Sequence, residues 1–391
     1  MVTFEEALNI VLESSFLIET EGVSLPDASG RVLAQDVVSD VDMPPFDKSA
    51  MDGYACRRDN LTGVLEIIET IPAGAVPEKK INPGQCARIM TGARIPEGAD
   101  CVIKVEETET TAEGEVRFIA GQTRDNIARK AEDARRGDIV LGSGMLLAPQ
   151  HIAVLASVGC TFPIVFRKPR VAILSTGDEI VEPDLIPGPS QVRNSNAWQL
   201  IAQVKRAGGL PFYHGIIRDS KDETRIALEK ALAENDIVLL SGGVSMGDYD
   251  FVPGVFEALG LEIRFRTIAI QPGKPTVFAV RGDKRIFGLP GNPVSSFNLF
   301  TLLVAPLIGK MTGRKAGFGI RRLPMGAAYQ RKKSDRLSWI PVSFSEDGKV
   351  YPVEYHGSAH IHALAYADGI AAIEAGRNTV NTGEFVDVRF I

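Results

Sequence analysis

Residues 168–220 read KPRVAILSTGDEIVEPDLIPGPSQVRNSNAWQLIAQVKRAGGLPFYHGIIRDS, and this stretch decides the fold. RVAILST is a short apolar run that stops at a Gly turn, the pattern of a strand buried on both faces. From Ala197 to Arg206 the spacing turns helical, with Asn194 or Ser195 as cap and Gly208-Gly209 as stop. FYHGII is a second strand, Ser220 with Glu223 is a capping box that opens a helix through Leu232, and DIVLLS is a third strand. Strands alternating with helices of this length imply a parallel-type sheet with right-handed crossovers. In such sheets ligands sit beyond the carboxyl ends of the strands.

Towards the amino terminus, Thr3 and Glu6 make another capping box, and Phe4, Leu8, Val11 and Leu12 recur at helical spacing. SDVDMPPFDKSAMDGYA follows, in which Pro44 and Pro45 forbid a helix and Asp52-Gly53 marks a tight turn. It reads as an extended connector with exposed acids. Between about Leu61 and Phe118 the β-type runs VLEII, ARIM, CVIKVEE and VRFI alternate with Gly and Pro clusters, as in a small β-rich module. NIARKAEDARRGD then leads to a helix from Pro149 to Ser157, stopped at Gly159. Joining that helix to the first one makes a discontinuous domain with the β module inserted. Beyond about Gly319, WIPVSF and VYPVEY flank Glu346-Asp347-Gly348, a hairpin signal in an all-β C-terminal domain.

The expected fold class is therefore multidomain α/β plus β. Its parts are an N-terminal helical/β domain at 1–45 plus 132–167 and an inserted β-rich domain at 46–131. A central α/β domain spans 168–315, and a C-terminal β-barrel-like domain spans 316–391.

Composition narrows the function classes. The 391 residues, 45% apolar and 24% charged, fit a globular protein of several domains. No apolar run reaches the roughly 18–20 residues of a membrane span, and MVTFEEALNI lacks the basic and apolar regions of a signal peptide, so a cytoplasmic location and no membrane partner are expected. Cys56, Cys86, Cys101 and Cys160 form no CxxC pair and read as four buried thiols rather than a disulfide framework. A net charge of −6 argues against a broad nucleic-acid surface. Any anionic ligand must be held locally.

Three loops at strand ends offer such a site. They are Ser175-Thr176-Gly177-Asp178-Glu179, the run Ser241-Gly242-Gly243-Val244-Ser245-Met246-Gly247-Asp248-Tyr249-Asp250, and Leu289-Pro290-Gly291-Asn292-Pro293-Val294-Ser295-Ser296. Glycines let backbone N–H groups approach phosphate oxygens, and a helix beginning near Val294 turns its positive end to an anion. None is a Walker A loop or a GxGxxG turn, which weakens the ATPase and dinucleotide readings. Glu179, Asp219 and Asp250 gather at the same strand ends, and carboxylates beside phosphate suit Mg²⁺. Lys274 in QPGKP and Arg336 in SDRLSW suit an oxyanion. His356, His360 and His362 lack an evident fourth ligand for a metal.

PPFDKSAMDGYA at 44–55, RIMTGARIPEGAD at 88–100, AEDARRGD at 131–138, STGDE at 175–179, SGGVSMGDYDF at 241–251, PGKP at 272–275 and LPGNPVSSF at 289–297 together resemble the MoeA family, which includes the E domain of gephyrin. The resemblance implies a four-domain homodimer with a molybdopterin-binding α/β domain and an active cleft between subunits. It implies that adenylated molybdopterin is hydrolysed with Mg²⁺ or another divalent cation, that AMP leaves, and that molybdate is attached to the dithiolene sulfurs. A molybdopterin adenylyltransferase and downstream cofactor-processing proteins or molybdoenzymes are the implied partners. By position, Asp52, Thr91 and Asp133 become cross-subunit catalytic residues, joined by Glu179, Asp219 and Asp250, which double as metal ligands. Ser175, Thr176, Gly177, Ser241, Gly242, Gly243, Ser245, Gly247, Pro290, Gly291, Asn292 and Pro293 become pterin-binding, and Lys274, Ser295, Arg336 and Ser358 molybdate-binding.

Two departures stand out: Gln271 precedes PGKP where many relatives have lysine, and Thr267 stands where a second family lysine is found. The missing charge predicts weaker, more salt-sensitive molybdate binding. A non-catalytic scaffold and a molybdopterin adenylyltransferase are the competing readings. The SAMDGYA and MTGA segments and the C-terminal β domain favour the metal-inserting relative.

Overall fold

The computed structural model describes residues 1–243, 252–315 and 319–391. They fall into two compact units, one combining Met1–Gln35, Ser143–Ala148 and Ile164–Ile391, the other Asp36–Gly142 and Pro149–Pro163. The helices Phe4–Glu13 and Pro149–Ser157 lie in different units.

The larger unit is organised on a six-stranded sheet in the order Leu210–Ile217, Arg170–Thr176, Ile237–Ser241, Lys284–Leu289, Pro275–Arg281, Glu262–Thr267. The first four strands are mutually parallel, as the alternating β and α pattern requires. Pro275–Arg281 is reversed, because Gly282-Asp283, with Gly282 at φ 55°, makes a two-residue hairpin between Arg281 and Lys284, and Glu262–Thr267 pairs antiparallel with it at the edge. Alternate residues feed two cores. Val171, Ile173 and Leu239 pack into one cluster with Leu200, Val204, Leu303 and Leu307, while Ala172, Leu174 and Leu240 join Leu228, Leu232 and Phe256 on the opposite face. Both faces are dry, which is why these strands read as unbroken apolar runs.

The helix starts are built as the sequence indicates. Thr3 and Glu6 close a reciprocal box, and Ser220 accepts from the Glu223 N–H at 3.4 Å. Asn194, rather than Ser195, caps the helix Ser195–Ala207, which ends at Gly208 with φ 91°. The helix from Pro293 to Met311 is the one correction to the hydropathy reading. Although Ser295, Ser296, Asn298 and Thr301 interrupt its apolar run, its 19 residues have a mean hydropathy of 1.4, enough for a membrane span by composition, and 78% of that window is buried in the protein. Its backbone widens to i→i+5 bonding over Phe300–Val304, just before Pro306, whose ring denies the regular N–H and crowds the preceding turn.

Buried charge ties the amino ends of the central strands. Asp236, immediately before Ile237–Ser241, accepts from Arg167 Nη1 at 2.6 Å, Arg167 Nη2 at 2.9 Å and the Arg170 N–H at 2.7 Å. Burial works to raise the Asp236 pKa, but the guanidinium fork and the backbone donor outweigh it and hold the carboxyl below its usual range.

The C-terminal part of this unit pairs Leu337–Phe344 with Gly369–Ile373, then Phe385–Phe390 and Ile320–Pro324. Leu337–Phe344 also pairs Val350–Pro352 across the turn at Gly348, the expected hairpin. A bridge between Met325 and Val350 then joins the two ends of the path, giving the barrel-like closure.

The smaller unit has a six-stranded sheet in the order Cys101–Lys104, Gly53–Cys56, Gln85–Ile89, Val64–Ile71, Glu115–Phe118, Thr108–Ala112. Gly53 opens a strand there, and a Cβ on it would lie 1.9 Å from the Ile103 carbonyl oxygen. Close approach of neighbouring strands, more than a turn, requires this glycine. Cys56 faces both Cys86 and Cys101 across the sheet, its sulfur 3.7 Å from that of Cys101, so these thiols are distant only along the chain. All three are buried and unbridged, whereas Cys160 is half-buried. Burial pushes the Cys86 thiol up to about 12, which leaves it unreactive at neutral pH.

Asp236→Asn is expected to lower the unfolding free energy at neutral pH by about 2–3 kcal/mol, since it leaves the Arg167 guanidinium without its buried carboxylate and with only the exposed Glu19 at Nε. The folded pKa of Asp236 lies below the unfolded value, so its contribution is present above about pH 3.9 and is lost as pH falls through the folded pKa. Urea titrations should show a gap between wild type and variant that narrows in acid. A gap that is absent at neutral pH, or that widens in acid, contradicts the role given to this pair.

Candidate functional site

Register brings the glycine loops together. In the sheet Ser175 stands beside Ser241, and Ser241 beside Leu289, so three neighbouring parallel strands end in one row. The Gly242 N–H donates to the Leu289 carbonyl at 2.9 Å, joining the second loop to the third. A Cβ on Gly242, whose φ is 100°, would lie 2.5 Å from the Thr176 carbonyl oxygen, joining the second loop to the first. A Cβ built on Gly291 would lie 4.0 Å from the Gly242 Cα, an ordinary contact that sets the third loop beside the second.

Beyond these ends lies a cavity of about 710 Å³. Its walls include Ser175, Thr176, Gly177 and Glu179 from the first loop, and Ser241, Gly242 and Gly243 from the second. Pro290, Gly291, Asn292 and Pro293 come from the third, and Asp219 from the end of the neighbouring strand. Thus the cavity collects every pterin-binding candidate among the described residues. Ser245, Gly247 and Asp250 lie outside the described residues.

The acids line the wall in an exposed setting. Glu179 folds back so that its carboxylate lies 2.6 Å from a Cβ built on Gly177, whose φ of 144° already excludes most side chains. The Asp219 N–H donates to Asp178 Oδ1 at 3.3 Å, which ties the edge strand to the first loop.

None of the four molybdate candidates lines this cavity, but backbone contacts tie their segments beside it. The Val294 N–H donates to the Ser358 carbonyl at 3.1 Å, bringing the neighbour of Ser295 against Ser358. Arg336 Nη1 donates to the Ile270 carbonyl at 3.2 Å, next to the turn that carries the exposed Lys274. Pro275 and Ala359, the chain neighbours of Lys274 and Ser358, line the cavity itself.

One expectation needs correction. The first turn of the helix that starts at Pro293 has few open donors, because Pro293 has no N–H and Val294 gives its own to Ser358. One donor of its positive end is thus used within the protein.

Sequence reading gave Asn194 or Ser195 as the cap of the helix Ser195–Ala207 but missed the contacts that this helix start makes with the loops. Asn194 Oδ1 accepts from the Ser175 hydroxyl at 3.1 Å and the Ala197 N–H at 3.2 Å, while its Nδ2 donates to the Tyr213 hydroxyl at 2.9 Å. Tyr213 in turn donates to Glu182 Oε1 at 2.6 Å, and burial together with that carboxylate raises the phenol pKa. Asn196 donates from Nδ2 to Ser241 Oγ and to the Gly291 carbonyl, both at 2.8 Å. The signal was there: Asn196 lies four residues before Leu200, on the face that Leu200 and Val204 bury. A polar residue at a buried helical position calls for partners.

Within the smaller unit, Asp52 Oδ1 accepts from the Thr91 N–H at 2.6 Å and the Thr91 hydroxyl at 2.7 Å. These donors, the hydroxyl foremost, hold the Asp52 carboxyl below its usual range. Asp133 is exposed in a turn whose N–H donates to the Met43 carbonyl at 3.0 Å, and it makes no hydrogen bond to Asp52 or Thr91 among the described residues.

Comparison with known proteins bears on the same segments. Residues 2–159 match the MoeA N-terminal region (domain I and II), 172–310 a probable molybdopterin binding domain, and 326–391 the MoeA C-terminal region (domain IV). The molybdopterin molybdenumtransferase of Bacillus subtilis is 40% identical over 405 aligned residues, covering 100% of this chain and 94% of the relative. That of Nostoc is 38% identical, covering 97% of this chain and 90% of the relative. A crystal structure of the molybdopterin biosynthesis moeA protein from Pyrococcus horikoshii superimposes with a TM-score of 0.86 at 30% identity, covering 100% of both chains.

Gly242→Ala should destabilise the larger unit by about 1–3 kcal/mol, because backbone at positive φ gains a side chain that meets the Thr176 carbonyl. Gly291→Ala meets only ordinary contact and should cost no more than about 0.5 kcal/mol. Chemical denaturation of both variants checks this contrast. Equal stabilities would mean that the loops are not packed against each other as described.

Proposed function

Because the chain belongs to the MoeA family, we propose that it inserts molybdenum from molybdate into adenylated molybdopterin, with divalent-cation-dependent hydrolysis that releases AMP. Its place in molybdenum cofactor biosynthesis follows from the family. The adenylated substrate, AMP release and Mg²⁺ belong to our own reading of the site. The observation that carries it is the common row of Ser175, Ser241 and Leu289, which opens three loops and two carboxylates into one cavity.

Glycine-lined backbone holds the phosphates of the substrate without the lysine of a nucleoside triphosphate loop. Glu179 and Asp219 are hard oxygen donors on the wall of that cavity, a donor set that suits Mg²⁺. When bound, Mg²⁺ neutralises phosphate charge and makes a bound water more acidic. A carboxylate of this wall takes the proton from the attacking water as its oxygen bonds to phosphorus and AMP leaves. Lys274, Ser295, Arg336 and Ser358 hold the molybdate dianion through charge-assisted and hydroxyl donors. Asp52, Thr91 and Asp133 serve the same reaction from the second subunit of a homodimer. A molybdopterin adenylyltransferase supplies the substrate, and downstream molybdoenzymes take the product.

Purified protein given adenylated molybdopterin, Mg²⁺ and molybdate should release AMP and yield active cofactor together. Asp219→Asn and Glu179→Gln should slow AMP release by about 10²–10⁴-fold, the usual worth of a positioned acid or base. Substrate binding without AMP, or variants that turn over like wild type, would end the catalytic reading. Lys274→Ala should raise the molybdate concentration for half-maximal cofactor formation about tenfold, the effect of losing one charge-assisted bond. An unchanged molybdate titration removes Lys274 from that role. Mixed dimers of Asp52→Ala and Asp219→Ala chains should regain roughly half of wild-type activity if each site draws on both subunits. No recovery rules out a shared cleft.

A further inference from the structure

Asn196 stands at the second position of the helix Ser195–Ala207 and is 8% exposed. Its amide orientation is fixed by its partners. The Gly291 carbonyl can only accept, so the group facing it at 2.8 Å must be the Nδ2 donor, which also reaches Ser241 Oγ at 2.8 Å. One side chain therefore spans from the last residue of the strand Ile237–Ser241 to the Pro-Gly turn after Lys284–Leu289.

The other side of the same carboxamide is unsatisfied. Among the described residues, Asn196 Oδ1 is buried and has no hydrogen-bond partner, and the Thr176 hydroxyl, close to Gly242, is likewise buried without one. Both residues line the cavity. Buried acceptors left open in a protein are retained where a ligand or a rearrangement supplies the missing donor. A phosphate ester of an N–H-rich heterocycle is a ligand class that can do so, its ring N–H meeting Oδ1 once a small shift of Asn196 on binding opens that atom to the cavity.

We propose that Asn196 is a positioning residue for substrate capture: its Nδ2 sets the separation of the second and third glycine loops, and its Oδ1 accepts a hydrogen bond that arrives with the pterin. The proposal rests on the reading of this cavity as the pterin site. It assigns Asn196 to the pterin substrate and not to molybdate. Through the neighbouring Asn194, which holds Ser175, the same helix start reaches all three loops. The sequence Asn194-Ser195-Asn196 is thus a hub and not merely a cap.

Asn196→Ala removes both functions, and Asn196→Asp keeps the shape and one oxygen but replaces the donor with an acceptor facing the Gly291 carbonyl. With adenylated molybdopterin as the probe, both variants should raise the KM for the pterin about 10–100-fold, with the molybdate KM within twofold of wild type. A purely structural role would lower the thermal midpoint and the active fraction while leaving the pterin KM unchanged, and that result overturns the proposal. A rise shared equally by molybdate overturns it as well. Amide exchange without any ligand gives an independent reading. In Asn196→Ala the amides of residues 241–243 and 289–292 should both exchange faster, at least severalfold, and protection unchanged in either segment refutes the clamp. If wild type binds no pterin while the exchange result holds, the substrate reading fails and the clamp stands.

Discussion

Three parallel strands that end in register are the constraint on which the rest depends. Ser175, Ser241 and Leu289 share one row, so the backbone that follows each strand must leave through the same narrow opening. At one point of that opening only glycine fits. At Gly242 any side chain would collide with the Thr176 carbonyl, and the φ of 100° is one that other residues rarely adopt. The three loops line one cavity, and it is there that the proposed function places the substrate phosphates.

The two ends of these strands are stabilised by different chemistry. At the amino ends the buried Asp236 carboxylate gathers Arg167 and the Arg170 N–H, a paired charge that is fully satisfied. At the carboxyl ends neutral amides do the joining, and some polar atoms are left open. A satisfied ion pair suits a place that never changes its partners. Open acceptors suit a place that receives a ligand. Charge follows the same division, with exposed Glu179 and Asp219 at the carboxyl ends in a molecule whose net charge is −6.

Much of this was legible in the sequence because the signals were local. RVAILST and DIVLLS announce buried strands, Thr3 with Glu6 and Ser220 with Glu223 announce helix starts, and Gly348 announces the hairpin that the barrel-like domain contains. What escaped depends on partners distant along the chain. Gly53 looks like a turn residue until Ile103 is seen against it, and Cys56 looks solitary until the sheet sets it beside Cys86 and Cys101. The antiparallel edge of the main sheet rests on Gly282-Asp283, two residues easily read as an ordinary loop. Asn196 carried a legible hint in its burial face, but which loops it joins is a matter of sheet order, and periodicity says nothing of that. The helix beginning at Pro293 shows the reverse case, in which a sound local rule about helix ends meets a carbonyl from residue 358 that consumes the donor.

The most direct test is amide exchange on the wild-type protein with and without adenylated molybdopterin, read at the three loops together. Protection gained at once in residues 175–179, 241–243 and 289–292 is the expected result, because one ligand in one cavity must cover all three. Protection confined to a single loop, or gained only in the sheet that holds Cys56 and Cys101, would contradict a common pterin site.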